Sequence, residues 1–283
     1  MAASYGSIAT NTATSGDLTI TKPSSLAAGD MMIACIETED TNSATTKTNW
    51  TELQFQTTGG VNARNLTILA KVADASDAAA SDFTFTNNGG NETAGALIRV
   101  TGSFTDGIGN FVVSADVSTQ DTTTPSFAGI TTRIDNDLLV IVAVTTTAVE
   151  TSSTYAVANS NPTWTERADF SLDDVEDISM AIATATYATA GATGNFSWTA
   201  SGTNSKVGYI FSISETANST QTPDPVVVAS AVQAPSVAAD ANVSAGSVQD
   251  IASSVIDPAV SLADPTWSDV SKSSSTWSNT SKS

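Results

Sequence analysis

The sequence predicts an all-β chain: a duplicated antiparallel β-sandwich, jelly-roll or immunoglobulin-like (Ig-like), followed by an extended C-terminal tail. Three observations carry this prediction. Apolar residues alternate with Thr, Ser and Asn in short runs bounded by Gly/Asn clusters, which is the period of strands with one face covered. A collinear series of these runs recurs about 110 residues further on, the mark of an internal repeat. Beyond Glu215 prolines recur among Val, Ala and Ser, and aromatics are absent until Trp267. Such a segment cannot build a core of its own.

The elements follow in order along the first copy. Leu18 and Ile20 alternate with Thr19 and Thr21, a short strand. Met31 to Ile36 is continuously apolar and predicts a strand buried on both faces. Leu66, Ile68, Ala70 and Val72 alternate with mostly polar neighbours, as do Phe83 and Phe85, and then Ala96, Ile98 and Val100. Thr57-Thr58-Gly59-Gly60 and Asn87-Asn88-Gly89-Gly90-Asn91 separate the runs. Asn and Gly supply the positive φ that tight turns require. Only Ala73 to Ser81 predicts helix, a turn or two.

The second copy is read from the first. Ile20 and Asp30-Met31-Met32-Ile33-Ala34 match Phe127 and Asp137-Leu138-Leu139-Val140-Ile141 at an offset of 107. Trp50-Thr51-Glu52 matches Trp164-Thr165-Glu166 at 114. Phe83-Thr84-Phe85-Thr86 matches Phe196-Ser197-Trp198-Thr199 at 113, and Ala96–Val100 matches Tyr209–Ile213 at the same offset. The single jump predicts a loop about seven residues longer before Trp164. The expected organisation is a first β-sandwich repeat over 1–105, a second over 106–216, and the tail over 217–283. Two sandwiches in tandem and one larger sandwich, to which each copy contributes half, both satisfy the pattern.

In the tail, Pro223, Pro235 and Pro258 recur in Val/Ala/Ser sequence and exclude a long helix. The chain ends on a repeat of period ten, Thr266-Trp267-Ser268-Asp269-Val270-Ser271-Lys272 and then Thr276-Trp277-Ser278-Asn279-Thr280-Ser281-Lys282. Large aromatics in small polar sequence act as anchors on a partner. Trp267, Trp277 and Val270, with Pro223, Pro235 and Pro258, are therefore the candidate interface residues.

Composition narrows the chemistry. Only 14% of residues are charged, against roughly 25% in ordinary domains. Ten Lys and Arg against 29 Asp and Glu leave a formal charge of −19. A surface this acidic repels phosphate backbones, so no nucleic-acid partner is expected. There is no histidine and one cysteine, Cys35, which removes Ser-His-Asp and Cys-His catalysis and the usual zinc sites. Cys35 sits in the apolar Met31–Ile36 run and is expected to be buried and inert. Two carboxylates suffice for glycoside hydrolysis. The acidic runs at Glu37, Glu39 and Asp40, and at Asp173, Asp174, Glu176 and Asp177, have no flanking aromatics to platform a sugar. The second run also lacks the central glycine of an EF-hand calcium loop. The second run reads as a solvated loop. Trp50, Trp164 and Trp198 are assigned to core packing. No enzyme activity, metal or cofactor is expected. Met1 to Ser7 lacks the basic start and apolar core of a signal peptide, and no apolar run approaches the ~18 residues of a membrane helix. The expectation is a chain made in a cytoplasm that stays soluble, without membrane insertion.

Lys22-Pro23-Ser24-Ser25-Leu26-Ala27-Ala28-Gly29-Asp30 before an apolar strand, then a Trp-Thr strand, then Leu66 to Ala73, resembles virion proteins of tailed bacteriophages. In that group the pattern recurs in tail-fibre-like and head-associated proteins, and the Trp-Ser-Asp-Val-Ser-Lys ending is similar to endings on phage structural proteins. The resemblance implies a β-sandwich component of the virion, a tail-fibre or tail-associated protein or a head decoration (capsid decoration) protein. The implied partners are other virion proteins and copies of the same chain, as a homo-oligomer guessed to be a trimer. The implied location is the virion, after synthesis in the host cytoplasm. The resemblance carries over no catalytic residue. The alternative is a carbohydrate-binding or adhesin module that meets a host surface glycan.

Overall fold

The computed structural model describes residues 3–39, 44–57, 64–87, 92–104, 111–113, 120–145, 151–173, 177–203 and 205–215. All of them belong to one compact unit. The interface expected at Pro223, Pro235, Pro258, Trp267, Val270 and Trp277 lies outside the described residues, as do Asp40 and residues 174–176.

The fold is all-β and antiparallel, as the alternation predicts. In the first copy the strands are β1 (Ser4–Ala13), β2 (Leu18–Thr21), β3 (Met31–Glu39), β4 (Thr51–Thr57), β5 (Arg64–Val72), β6 (Asp82–Phe85) and β7 (Thr93–Thr101). In the second they are β8 (Phe111–Val113), β9 (Gln120–Asp121), β10 (Ser126–Phe127), β11 (Asp137–Thr145), β12 (Ser152–Val157), β13 (Thr165–Leu172), β14 (Ile178–Tyr187), β15 (Phe196–Ala200) and β16 (Ser205–Ile213). The helical expectation over Ala73–Ser81 is met by one short helix, α1 (Ala75–Ala79). Asp74 caps it by accepting from the Ser76 and Asp77 amides, while Asp77 accepts from the Asp74 amide. That reciprocal box satisfies the orphan donors of a helix too short to persist alone.

One large sheet has the order β1-β7-β3-β5-β4, and the other β13-β14-β11-β16-β8 with β9 also on β16. Two small sheets, β2-β6 and β10-β15-β12, complete the described strands. Read from the centre outward, the large sheets correspond strand for strand, and the pairing register repeats as well. Ile33 faces Ala70 and Ile98, while Val140 faces Thr184 and Phe211. Ile20 faces Phe83, and Phe127 faces Phe196. Even an irregularity recurs: the β4–β5 register shifts between Glu52 and Gln54, and the β13–β14 register between Glu166 and Ala168.

Strand periodicity assigns each side chain to a layer. From β3, Met31, Ile33 and Cys35 join Leu138, Val140 and Val142 of β11 and Tyr209 and Phe211 of β16 in one core. Of the two arrangements that the sequence leaves open, the large sheets adopt the shared one and pack face to face, with β1 against β13 and β7 against β14. The alternate residues of β3, Met32, Ala34 and Ile36, pack under β2 and β6 with Leu18, Ile20, Phe83 and Phe85. On the far side Leu139, Ile141 and Ala143 of β11 pack under Phe127, Phe196 and Trp198. The result is four layers, small–large–large–small. Both central strands are covered on both faces, which is why Met31–Ile36 is continuously apolar.

Each central strand begins on a buried aspartate. Asp30 accepts from the Ala27 amide (2.8 Å) and pairs with Arg99 Nε at 2.6 Å. Its counterpart Asp137 accepts from the Arg133 amide (3.1 Å) and the Ser214 hydroxyl (2.6 Å). Both therefore hold the loop that enters the central strand. Among the described residues no helix is long and apolar enough to cross a membrane.

Candidate functional site

The two copies differ in the loop before Trp164. Where the sequence predicts a longer loop, the chain forms a strand, β12, which pairs with β15; at the matched place the described residues of the first copy hold only an isolated bridge, Thr46 to Thr86. The reason is an open edge: β15 pairs with β10 over only two residues, and β12 satisfies its other side. The β12–β15 register breaks between Ser153 and Ala156, so Thr154 and Tyr155 stand outside the ladder. Thr154 takes φ 52°, a left-handed conformation that costs a β-branched residue on the order of 1–3 kcal/mol.

This bulge forms one wall of an open pocket of about 320 Å³ lined by Ser153, Thr154, Tyr155, Pro162, Trp164 and Glu166. Its groups are held by short-range bonds. Asn161 Oδ1 accepts from the Val157 amide and from Trp164 Nε1, each at 3.0 Å, which fixes the turn and the indole together. Tyr155 is buried, and its hydroxyl lies 3.3 Å from Glu166 Oε2 and 3.4 Å from the Ser152 carbonyl. Asp169 accepts from the Ser152 amide at 3.0 Å and so ties β13 to β12. Burial first, and then the Glu166 and Asp169 charges, push the Tyr155 phenol up, so it remains a donor. Burial also raises the Asp169 carboxyl, the Ser152 amide opposes the rise, and Glu166 adds to it.

Trp164 packs half-buried against the core expected for it and also lines the pocket. Its counterpart Trp50 meets Phe83 and Phe85 edge-on, with centroids 6.1 and 5.3 Å away, and Lys47 caps the two phenyl rings. In the second copy Trp198 is 1% exposed and stacks on Phe127 at 5.4 Å. Trp164, half-buried like Trp50, packs against the core that contains this stack. Trp198 serves as core, and Trp50 packs half-buried against the core of the first copy. The readable signal for Trp164 was an insertion directly beside one member of a matched Trp pair.

A second depression, about 250 Å³, lies where β1 meets β13 and includes Ser4, Tyr5, Thr165, Arg167 and Thr184. The Arg167 guanidinium sits 4.0 Å from the Tyr5 ring centroid, and its Nε donates to Thr184 Oγ1 at 2.7 Å. Both Arg167 contacts are internal, so the arrangement is a clasp between the copies.

The acidic runs are not brought into a site. Glu37 and Glu39 are 0% exposed on β3, out of reach of a ligand in solvent. Asp173 is exposed at the end of β13. Among the described residues no group of three or more His, Cys, Asp or Glu could hold a metal ion. Cys35 is fully buried, and burial pushes its thiol well above the ordinary range, which removes the reactive thiolate. The chain matches no family model, no curated protein and no solved structure.

Proposed function

We propose that the chain is a structural component of a bacteriophage virion, displayed as a tail-fibre or tail-associated protein or as a head decoration protein. Residues 217–283 attach it to the particle and hold its copies together as a homo-oligomer, with Trp267 and Trp277 as anchors. The observation that carries the reading is the build of the body. Two copies close on one core, and both central strands are covered on both faces. Such a body ends in a segment without the apolar content for a core of its own, which suits a rigid block joined to an assembly arm. The phage-like motifs around Lys22–Asp30 and the C-terminal Trp repeat support it as well.

The test is truncation. A chain ending at residue 216 should keep its β circular-dichroism signature and cooperative unfolding, and it should be missing from purified particles that contain the full chain. Incorporation of the truncated chain at the normal copy number would overturn the assignment of attachment to the tail. Copy number in the particle separates decoration from fibre.

A further inference from the structure

We infer that the pocket between β12 and β13 is a carbohydrate site that takes a neutral pyranose, with Trp164 as platform and Glu166 as hydroxyl acceptor. The inference stands on the pocket alone and does not depend on a role in a particle.

The ligand class follows from the lining. A pyranose presents an apolar C–H face and a rim of hydroxyls. It therefore needs a fixed aromatic surface beside polar groups spaced for hydrogen bonding. Trp164 supplies the surface, and the bond from its Nε1 to Asn161 fixes the ring before any ligand arrives. Pre-ordering of this kind removes part of the entropic cost of binding. Glu166 is exposed and supplies a charged acceptor, and charge-assisted bonds to ligand hydroxyls are the stronger kind. Ser153 and Thr154 add hydroxyls that both donate and accept. Pro162 closes the apolar side.

Charge excludes the rivals. None of the six lining residues is basic, and Glu166 is carboxylate-bearing, in a chain of net charge −19. Sialylated, sulfated and phosphorylated sugars are therefore repelled. About 320 Å³ is near the lower end of small-molecule sites, which suits one ring of a longer glycan and a weak affinity per site. The described residues of the first copy are built differently there: a single bridge, Thr46 to Thr86, stands where β12 pairs, and Trp50 meets Phe83 and Phe85 edge-on. β12 also holds a threonine in the left-handed region at the pocket wall. Strain at such a position is retained where a local shape is used.

The experiment is saturation-transfer NMR on the full chain. The probes are trisaccharides of glucose, galactose, mannose, rhamnose and N-acetylglucosamine, with 3′-sialyllactose as the anionic probe. At least one neutral trisaccharide should show transfer concentrated on the C–H protons of one ring face, and sialyllactose should show none. Trp164→Ala should weaken binding at least tenfold, and Glu166→Gln by several-fold. If Trp164→Ala does not fold, Glu166→Gln decides, because Glu166 is exposed and the amide preserves its shape. Transfer to no neutral probe, equal transfer to sialyllactose, or binding unchanged in Glu166→Gln overturns the inference. Any of these results leaves particle incorporation, the test of the virion role, unaffected.

Discussion

Asp169 holds two opposed demands in one side chain. Its carboxylate accepts the Ser152 amide and so fastens β12, yet burial and the neighbouring Glu166 raise its pKa. A carboxyl with a raised pKa binds its proton more tightly in the folded chain than in the unfolded one. Folding therefore weakens as pH climbs from the ordinary aspartate value, about 3.9, to the raised one, and the loss is complete above that. Asp169→Asn keeps an oxygen for Ser152 and removes the charge. It should unfold at higher urea than the parent at pH 7, with the gap closing near pH 3, where both side chains are neutral. A variant less stable than the parent at pH 7 would mean that the charged contact to Ser152 outweighs burial. Nothing local in the sequence marks Asp169, and only the adjacent insertion marks Trp164. Residue types state what a side chain can do, and the Ser152 partner of Asp169 comes from β12, whose pairing to β15 is non-local.

At the scale of elements, what the sequence reveals is periodicity and what it conceals is pairing. Leu18–Thr21, Met31–Ile36 and Phe83–Phe85 were legible because alternation and apolar runs are local. β1, with the sequence SYGSIATNTA, gives no such signal and exists because the edge of β7 holds it over its whole length. β12 falls within the predicted loop for the same reason. Two glycines also match at the repeat offset. Gly95 of β7 and Gly208 of β16 lie where each small sheet presses on its large one. A Cβ at Gly95 would come within 2.5 Å of Leu18 Cδ2, the movable end of a side chain. At Gly208 it would meet the Trp198 ring at 2.7 Å and the Val142 carbonyl at 2.9 Å, and neither can give way. Gly208→Ala should therefore lose about 1–3 kcal/mol by overpacking. Gly95→Ala should lose less, because a shift of Leu18 relieves it and alanine restores about 0.5–1 kcal/mol of backbone entropy. Urea midpoints in matched buffers rank the two, and an equal loss at both would show that the Trp198 stack yields as readily as a leucine methyl.

For the whole molecule, the consequential fact is that the inner faces of both copies belong to a single core. Sequence left this open because Met31–Ile36 and Leu138–Val144 are apolar on both faces. Period two then separates the faces without saying what covers each. Fully burying a Val, Ile, Leu, Phe or Met side chain is worth roughly 1.5–3 kcal/mol, and each large sheet commits a whole face to the other copy. Neither copy can release its partner without exposing that face, so the body should unfold in one step. Cys35 is placed to test this, since it lies on the inner face of β3 among the shared core residues and is 0% exposed. Trp50 and Trp198 lie on the opposite faces, under the small sheets. A thiol reagent should leave the native chain unmodified. In urea, Cys35 labelling and the tryptophan fluorescence change should share one midpoint. Labelling that precedes the fluorescence change would mean that the large sheets part while each copy keeps its own two layers. In that case the duplication has left two folding units docked through a weaker seam, with the Tyr5–Arg167 clasp at its edge.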